Sequence, residues 1–520
     1  MATRRAVWLA TVCVAATTYA VSAHGGSSSS ALNLEDVRWL NRVTYGLNTT
    51  TVERYRQLGR AKFLDEQLHP SSDDADTIAG EINALPISHE SLEDVLKNVR
   101  EQQRKINELP TPDERQRARM AFNEASRVVV YQTMKRHYMR AIYSPSQLRE
   151  QMTWFWMNHF NVFDGKAQVR WLIADYENRA VRPHALGKFR DLVMATLKSP
   201  AMLSYLDNAQ STVGKINENY ARELMELHTL GVSGGPSGSK YSQHDVQELA
   251  RILTGVTVNA TGDDRRMPPA RRALYVRDGV FEFNPNRHDF GSKTLLGQVI
   301  DGEGMSEVER AVTLLCKQPA TARFISTKLA TYFVADEPPA RLVEAMTTTF
   351  EKSDGDIAAV LRAMFTSSDF TSILKRPDTV AGKLKDPMQF VVSSLRLAYD
   401  GKTITNYRPV ANWLNQLGEP LYGHVTPDGY PLTESAWASS GQMVKRFEIA
   451  RAIGSGNAGL FNTDEGAPSP RGGFPLLTNR LYYDLIEPTL GAKTRAALDG
   501  TTSPQEWNTV LLASPDWMQR

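Results

Sequence analysis

Along this chain apolar residues recur at spacings of three and four far more often than they alternate, so the sequence reads as mainly α. The best-marked helix is residues 217–231, N-E-N-Y-A-R-E-L-M-E-L-H-T-L-G. Asn217 can cap the first turn, Glu218 lies near the positive end of the dipole, and Gly231 stops the helix before a Gly/Ser/Pro run to Lys240. At 100° per residue Tyr220, Leu224 and Leu227 share one face, with Ala221, Met225 and His228 alongside. Asn219, Glu223 and Glu226 fall on the other side, and Glu218, Arg222 and Glu226 form an adjoining row.

The same periodicity predicts helices over 34–46 and 51–68, a polar surface loop over 71–88, and two charge-rich helices over 91–109 and 113–142 joined by L-P-T-P as a helical hairpin. Residues 144–163 are apolar and aromatic on more than one face, which predicts a buried core helix carrying Asn158 and His159. Helices follow over 169–180 and 183–197, and another after Ser242, with Asp245 completing a capping pattern. The convincing strands are 273–276, 280–283 and 294–300, with Asp278-Gly279 as the turn, behind a Pro/Gly/Arg-rich insertion at 259–272. Four helices over 303–317, 321–334, 339–353 and 356–366 read as a compact bundle, continued at 386–397, 408–417 and 441–453. A long Pro/Gly/Tyr loop fills 419–434. The expected architecture is a multi-helix bundle with one small β-hairpin insertion near residues 273–300, without a fixed-period repeat.

Composition adds an address. Arg4 and Arg5, an apolar stretch to Tyr19 and Val21-Ser22-Ala23 make residues 1–23 a signal peptide, followed by a flexible N-terminus at 24–33. The expected location is periplasmic or extracellular, with a plain secretory route preferred to a twin-arginine one. The domain reading is then a helical body at 34–453 and a C-terminal helical extension at 454–520. Cleavage takes two arginines from 60 basic residues and none of the 58 acidic ones, so the mature chain is near neutral and offers no field for nucleic acid. Cys316 then stands alone in an apolar helix, a small buried hydrophobe with no disulfide to make. No later stretch is long and apolar enough for a transmembrane segment.

Candidate chemistry comes from polar residues in apolar surroundings. Glu223 and Glu226 are like charges on one helix. If their face is wet, Arg222 makes a ladder worth roughly 0.2–0.5 kcal/mol per pair. If it is buried, a metal ion, a proton or an arginine must neutralise it. His159 lies among tryptophans and phenylalanines; Asn178, Arg182 and His184 lie between two helices; Asp207 stands just ahead of residue 217; His288 and Asp289 lie on a loop between strands. No C-x-x-C-H, H-E-x-x-H, Walker loop, G-x-S-x-G or G-x-G-x-x-G after a strand occurs.

A series of segments in fixed order carries a resemblance: R-W-L-N-R-V-T-Y-G, W-M-N-H-F-N-V-F, R-P-H-A-L-G-K-F-R-D, P-A-M-L-S-Y-L-D-N, the 217–231 helix, D-V-Q-E-L-A-R-I-L-T-G, R-H-D-F-G-S-K-T-L-L-G, P-A-T-A-R-F-I-S-T-K-L and G-E-P-L-Y-G-H-V-T-P-D-G-Y-P. From about Leu34 to Ile453 the chain resembles the bacterial domain-of-unknown-function-1800 family. That resemblance implies an exported, largely helical protein, often encoded beside a sulfatase-like partner, and no assigned reaction.

Two functional readings stay open. The preferred one is a metal-assisted hydrolase of an extracytoplasmic polymer. His159, Glu223, His288 and Asp289 would hold a divalent metal (Zn, Mn or Fe), with Glu226 as general base, Arg182 and His184 as further catalytic groups, and Asn178, Asp207 and Asn219 in the polar cleft. The alternative is a non-catalytic envelope scaffold that binds a sulfatase-like partner or a glycan. Its contact surfaces would be the aromatic loop from Tyr422 to Tyr430 and the helical hairpin.

Overall fold

Side-chain caps set many of the helix starts. Asn33 accepts from the Asp36 N–H, Ser91 from Asp94 and Asp386 from Gln389, while Thr111 with Glu114 and Ser242 with Asp245 close reciprocal capping boxes. The computed structural model describes residues 32–71, 74–232, 241–261, 266–375, 382–463 and 474–520. The expected signal peptide at 1–23, most of the stretch 24–33 and residues 233–240 lie outside them. Helix takes 63% of the described residues and strand 5%, so the class is mainly α.

The helical hairpin forms as Leu92–Glu108 and Pro112–Tyr143, with the last two turns of the second helix buried. They lead into Gln147–His159, every residue of which is buried. A helix buried all round must satisfy its polar groups internally. Gln147 Nε2 donates to the carbonyls of Ala141 and Ser144, and Glu150 pairs with Arg182. Pro319–Phe333, Ala340–Lys352 and Ile357–Phe365 pack in sequence beside it, and Pro387–Ala398 is likewise wholly buried.

The C-terminal residues are part of the same body. Pro504–Ala513 packs on Ser440–Gly454, Asn508 Nδ2 donates to the carbonyls of Gly454 and Pro475, and Trp517 Nε1 donates to Ser394 at 3.0 Å. Cys316 is buried, and desolvation raises its thiol pKa, as a packing role requires. Among the described residues no single helix is long and apolar enough to cross a membrane.

Several local expectations change. The 71–88 loop contains the helix Asp76–Asn83, because Ile78 and Ile82, one turn apart, both pack into the core. The β region is two small antiparallel sheets: β1 (Val256–Val258), β2 (Val276–Asp278) and β3 (Phe281–Phe283) in the order β1-β3-β2, and β4 (Lys293–Leu295) with β5 (Gln298–Ile300). The stretch 294–300 is therefore a hairpin, not one strand. Leu296 and Gly297 both take positive φ (48° and 76°), as the two central residues of a tight hairpin turn do. The run 169–197 breaks into short 3₁₀, α and π turns before Phe189–Lys198, with Pro183 inside the turn Arg182–His184.

Candidate functional site

The core helix Gln147–His159 ends beside a loop from far downstream, and two asparagines lock the two together. Asn158 Oδ1 accepts from the Tyr430 N–H at 2.6 Å, and its Nδ2 donates to the Tyr430 carbonyl at 2.9 Å. Asn161 Nδ2 donates to the carbonyls of His424 (2.9 Å) and Thr426 (2.8 Å), and the Tyr205 hydroxyl donates to that of Val425 (2.7 Å). Gly429 has φ 76°, and a Cβ there would lie 2.1 Å from the Asn158 carbonyl oxygen. Gly429→Ala is expected to cost about 1–3 kcal/mol and to expose the loop to proteases, read by urea unfolding and limited proteolysis.

The loop's aromatic residues do not face outward. Tyr422 and Tyr430 are buried; Tyr422 donates to Glu177 Oε2 at 2.7 Å and Tyr430 stacks on Trp154. The expectation of an exposed aromatic contact surface is corrected: these rings pin the loop to the core.

Beside this seam lies a polar cluster. His159 is buried, its Nδ1 accepting from Lys328 Nζ at 3.0 Å and its Nε2–H donating to the His228 carbonyl at 3.1 Å. Desolvation first, then Lys328, holds its pKa well below the usual histidine value, so this imidazole is neutral. Lys328, on Pro319–Phe333, is pulled down to about 8 by burial, with Asp428 acting in the opposite direction. His228 is fully buried, and neither ring nitrogen has a hydrogen-bond partner among the described residues. Burial, then Lys328, pushes it down to about 3.

His228 owes this place to a change of helix type. The element is α only over Asn219–Glu223 and becomes a π turn over Leu224–Thr229, where the Leu230 N–H reaches back to the Met225 carbonyl at 2.8 Å. The wider turn shifts the phase that 100° per residue predicts. Leu227 is left half-exposed, while Leu224, Met225, His228 and Thr229 are buried.

The acidic row divides. Glu226 is paired with Arg222 at 3.7 Å, and Arg222 also reaches Glu218 at 3.3 Å, as in the solvated ladder. Glu223 is half-buried and accepts no hydrogen bond among the described residues. Desolvation, then Glu226, raises its pKa; Arg222 opposes them and Asp428 adds to them. On the loop, Asp428 accepts from Thr426 Oγ1 at 2.6 Å and from His424 Nε2 at 3.2 Å. Against a desolvation that would raise it, these two bonds hold the Asp428 carboxyl below its ordinary value. Asp428 thus acts electrostatically on both Glu223 and Lys328.

The residues singled out in the sequence divide among several places. Asp207 and Asn219 stand beside this cluster: Asp207, at φ 61°, accepts from Lys166 at 2.7 Å, Lys166 also donates to the Tyr205 carbonyl, and Asn219 Nδ2 donates to Leu206 O at 3.3 Å. Arg182 and Asn178 line a separate cleft, and His184 Nδ1 meets the Ala180 carbonyl at 2.9 Å along another groove. His288 lies in a further buried centre, between the Thr254 carbonyl (2.7 Å) and Glu307 (2.7 Å), and Asp289 is clamped by Arg251 at 2.8 and 3.3 Å.

The four expected metal ligands therefore do not form one donor set. His159 and His288 have both ring nitrogens engaged, and Arg251 bonds both oxygens of Asp289. Among the described residues no three His, Cys, Asp or Glu side chains could hold a metal ion together. The sequence reading missed Lys328, His424 and Asp428 as site residues and gave His228 no role. His228 was visible inside E-L-H-T-L-G, but its full burial follows from the π turn; Lys328 and Asp428 carry no local signal.

Fold and site together define a mainly helical protein of one body that pins a Pro/Gly loop over a buried pair of imidazoles. The chain belongs to the family described as protein of unknown function (DUF1800), whose model matches residues 38–519 and so takes in the stretch beyond Ile453. No curated protein and no solved structure matches the chain.

Proposed function

We propose that this protein is an exported hydrolase of an extracytoplasmic polymer that works by acid–base catalysis, with Glu223 and Asp428 as its two carboxyls. The observation that carries this reading is the contrast between two carboxyls, one of which acts electrostatically on the other. Glu223 is half-buried, without a donor, and beside another acid; Asp428 is fixed by two donors on the loop. Environments that push neighbouring carboxyls in opposite directions separate a proton donor from a base. Glu223 then protonates the leaving group and Asp428 draws the proton from the attacking water. Lys328 places a cation beside Asp428. His159 is a positioning residue that aims Lys328 through the 3.0 Å bond. Glu226 contributes through its charge on Glu223. Export rests on the basic and apolar pattern of residues 1–23.

The test uses the purified chain on a panel of envelope and extracellular polysaccharides and polyesters, followed by release of new chain ends. Glu223→Gln and Asp428→Asn are each expected to lower kcat by about 10²–10⁴-fold with native circular dichroism retained. The wild-type rate should fall on the acid side as Asp428 takes a proton and on the alkaline side as Glu223 loses one. Glu223→Gln should abolish the alkaline limb alone. Folded variants that both hydrolyse at the wild-type rate would refute the assignment.

A further inference from the structure

A cluster of buried arginines lies elsewhere, along a cavity of about 880 Å³ lined in part by Asp74, Asp76, Arg140, Arg149, Asn178 and Arg182. That volume is in the range of small-ligand sites. On its wall the arginines already engage Asp74 and the Asn178 side-chain oxygen, while the exposed Asp76 accepts no hydrogen bond among the described residues. Asp74 takes Nε and Nη2 of Arg140 at 2.9 Å each, and Nη2 of Arg182 at 3.1 Å. Behind the wall, Glu150 takes Arg182 through Nε (3.0 Å) and Nη2 (2.8 Å), and also the Arg149 Nε at 3.4 Å. Asn178 Oδ1 accepts from Arg140 Nη1 at 3.1 Å.

The donors are not exhausted. Arg149 is 93% removed from solvent, yet its Nη2 has no partner among the described residues, while its Nη1 donates to the Ser71 carbonyl at 2.6 Å. Arg182 Nη1 and Asn178 Nδ2 donate to no acceptor among the described residues. A buried N–H left without an acceptor costs about 1–3 kcal/mol, which is the position of Arg149 Nη2, while Arg182 Nη1 and the exposed Asn178 amide line the same cleft as open donors. The two carboxylates behind them fix the guanidinium planes and carry their counter-charge, which makes the forks rigid before any ligand arrives.

We infer that this cleft binds an oxyanion borne by a ligand, held by the free edges of Arg149 and Arg182 and by the amide of Asn178. Arginine forks suit a planar carboxylate and a tetrahedral phosphate or sulfate alike, through paired N–H donors. The cleft gives Arg182 and Asn178, prominent in the sequence, a binding role separate from the Glu223 cluster.

Thermal unfolding and calorimetric titration of the full chain with sodium phosphate, sulfate and acetate, each against chloride at equal ionic strength, test this. A saturable rise in Tm with phosphate and sulfate alone identifies a tetrahedral oxyanion, and one with acetate as well identifies a carboxylate. Asn178→Asp keeps a partner for Arg140 but sets a negative charge in the cleft. It should weaken binding at least about tenfold, as should Arg149→Met, whereas Glu223→Gln should leave it unchanged. The inference fails if all three salts act as chloride does, or if Asn178→Asp binds as tightly as the wild type.

Discussion

Lowering the pH from 7 to 2 is expected to remove about 6 kcal/mol of folding stability through two glutamates, Glu150 and Glu177. Both are buried. Desolvation would raise each, but Arg182, then Arg149 and Arg140, bring Glu150 down to about 2. His137, at 3.2 Å, and then Arg136 and Arg140 bring Glu177 down to about 2. An unfolded glutamate titrates near ~4.3, so each group contributes about 3 kcal/mol at neutral pH. Because the folded values are the depressed ones, this stability is present above the unfolded pKa and is lost as pH falls through the folded pKa, a window from about 5 to 2. Urea unfolding across that window measures it. Glu150→Gln and Glu177→Gln should each be less stable at pH 7, with about half the acid dependence removed. A flat stability profile between pH 5 and pH 2 would show that these carboxylates are not held as described.

Glu307→Ala is expected to destabilise the fold by about 3–5 kcal/mol, the penalty for breaking a buried ionic group on one side only. The Glu307 side chain is wholly buried, as are those of Lys293 on β4 and His288 on the loop after β3. Glu307 Oε1 faces His288 Nε2 at 2.7 Å and the Gly304 N–H at 2.8 Å, and Oε2 accepts from Lys293 at 2.5 Å. His288 Nδ1 faces the Thr254 carbonyl, so each ring nitrogen lies against an oxygen. Removing the glutamate leaves Lys293 and His288 buried without their acceptor, and it uncaps the helix Met305–Cys316. Replacing Glu307, Lys293 and His288 together with Met, Met and Phe should recover much of the loss. Equilibrium unfolding of the single and triple variants measures both. A single variant as stable as the wild type would mean that the cluster contributes nothing net. His288 thus serves the fold where the sequence suggested a metal ligand.

Features that depend on near neighbours were legible. The cap at Ser242, the Pro-containing break between Leu92–Glu108 and Pro112–Tyr143, and the turn at Asp278-Gly279 each need only a few residues to form. The burial of Gln147–His159 was legible because aromatic residues on every side of a helix leave no face for water. The metal quartet was not, because His159 and His288 are similar in sequence context, and only partners far along the chain distinguish them. Lys328 is 169 residues from His159, and Glu307 is 19 from His288. The π turn escaped as well, since a phase shift at Leu224 leaves no mark in a pattern read at 3.6 residues per turn.

By itself, then, the sequence determined the helical class, most helix boundaries and the family resemblance, because periodicity, capping and residue order are written in consecutive residues. Tertiary structure alone decided which polar groups act on one another: Asp428 on Glu223 and Lys328 through its charge, His288 with Glu307, Arg182 with Glu150 and Asp74. Which donor finds which acceptor depends on how whole helices and a distant loop pack, and packing answers to volume and burial across the entire chain rather than to any local pattern.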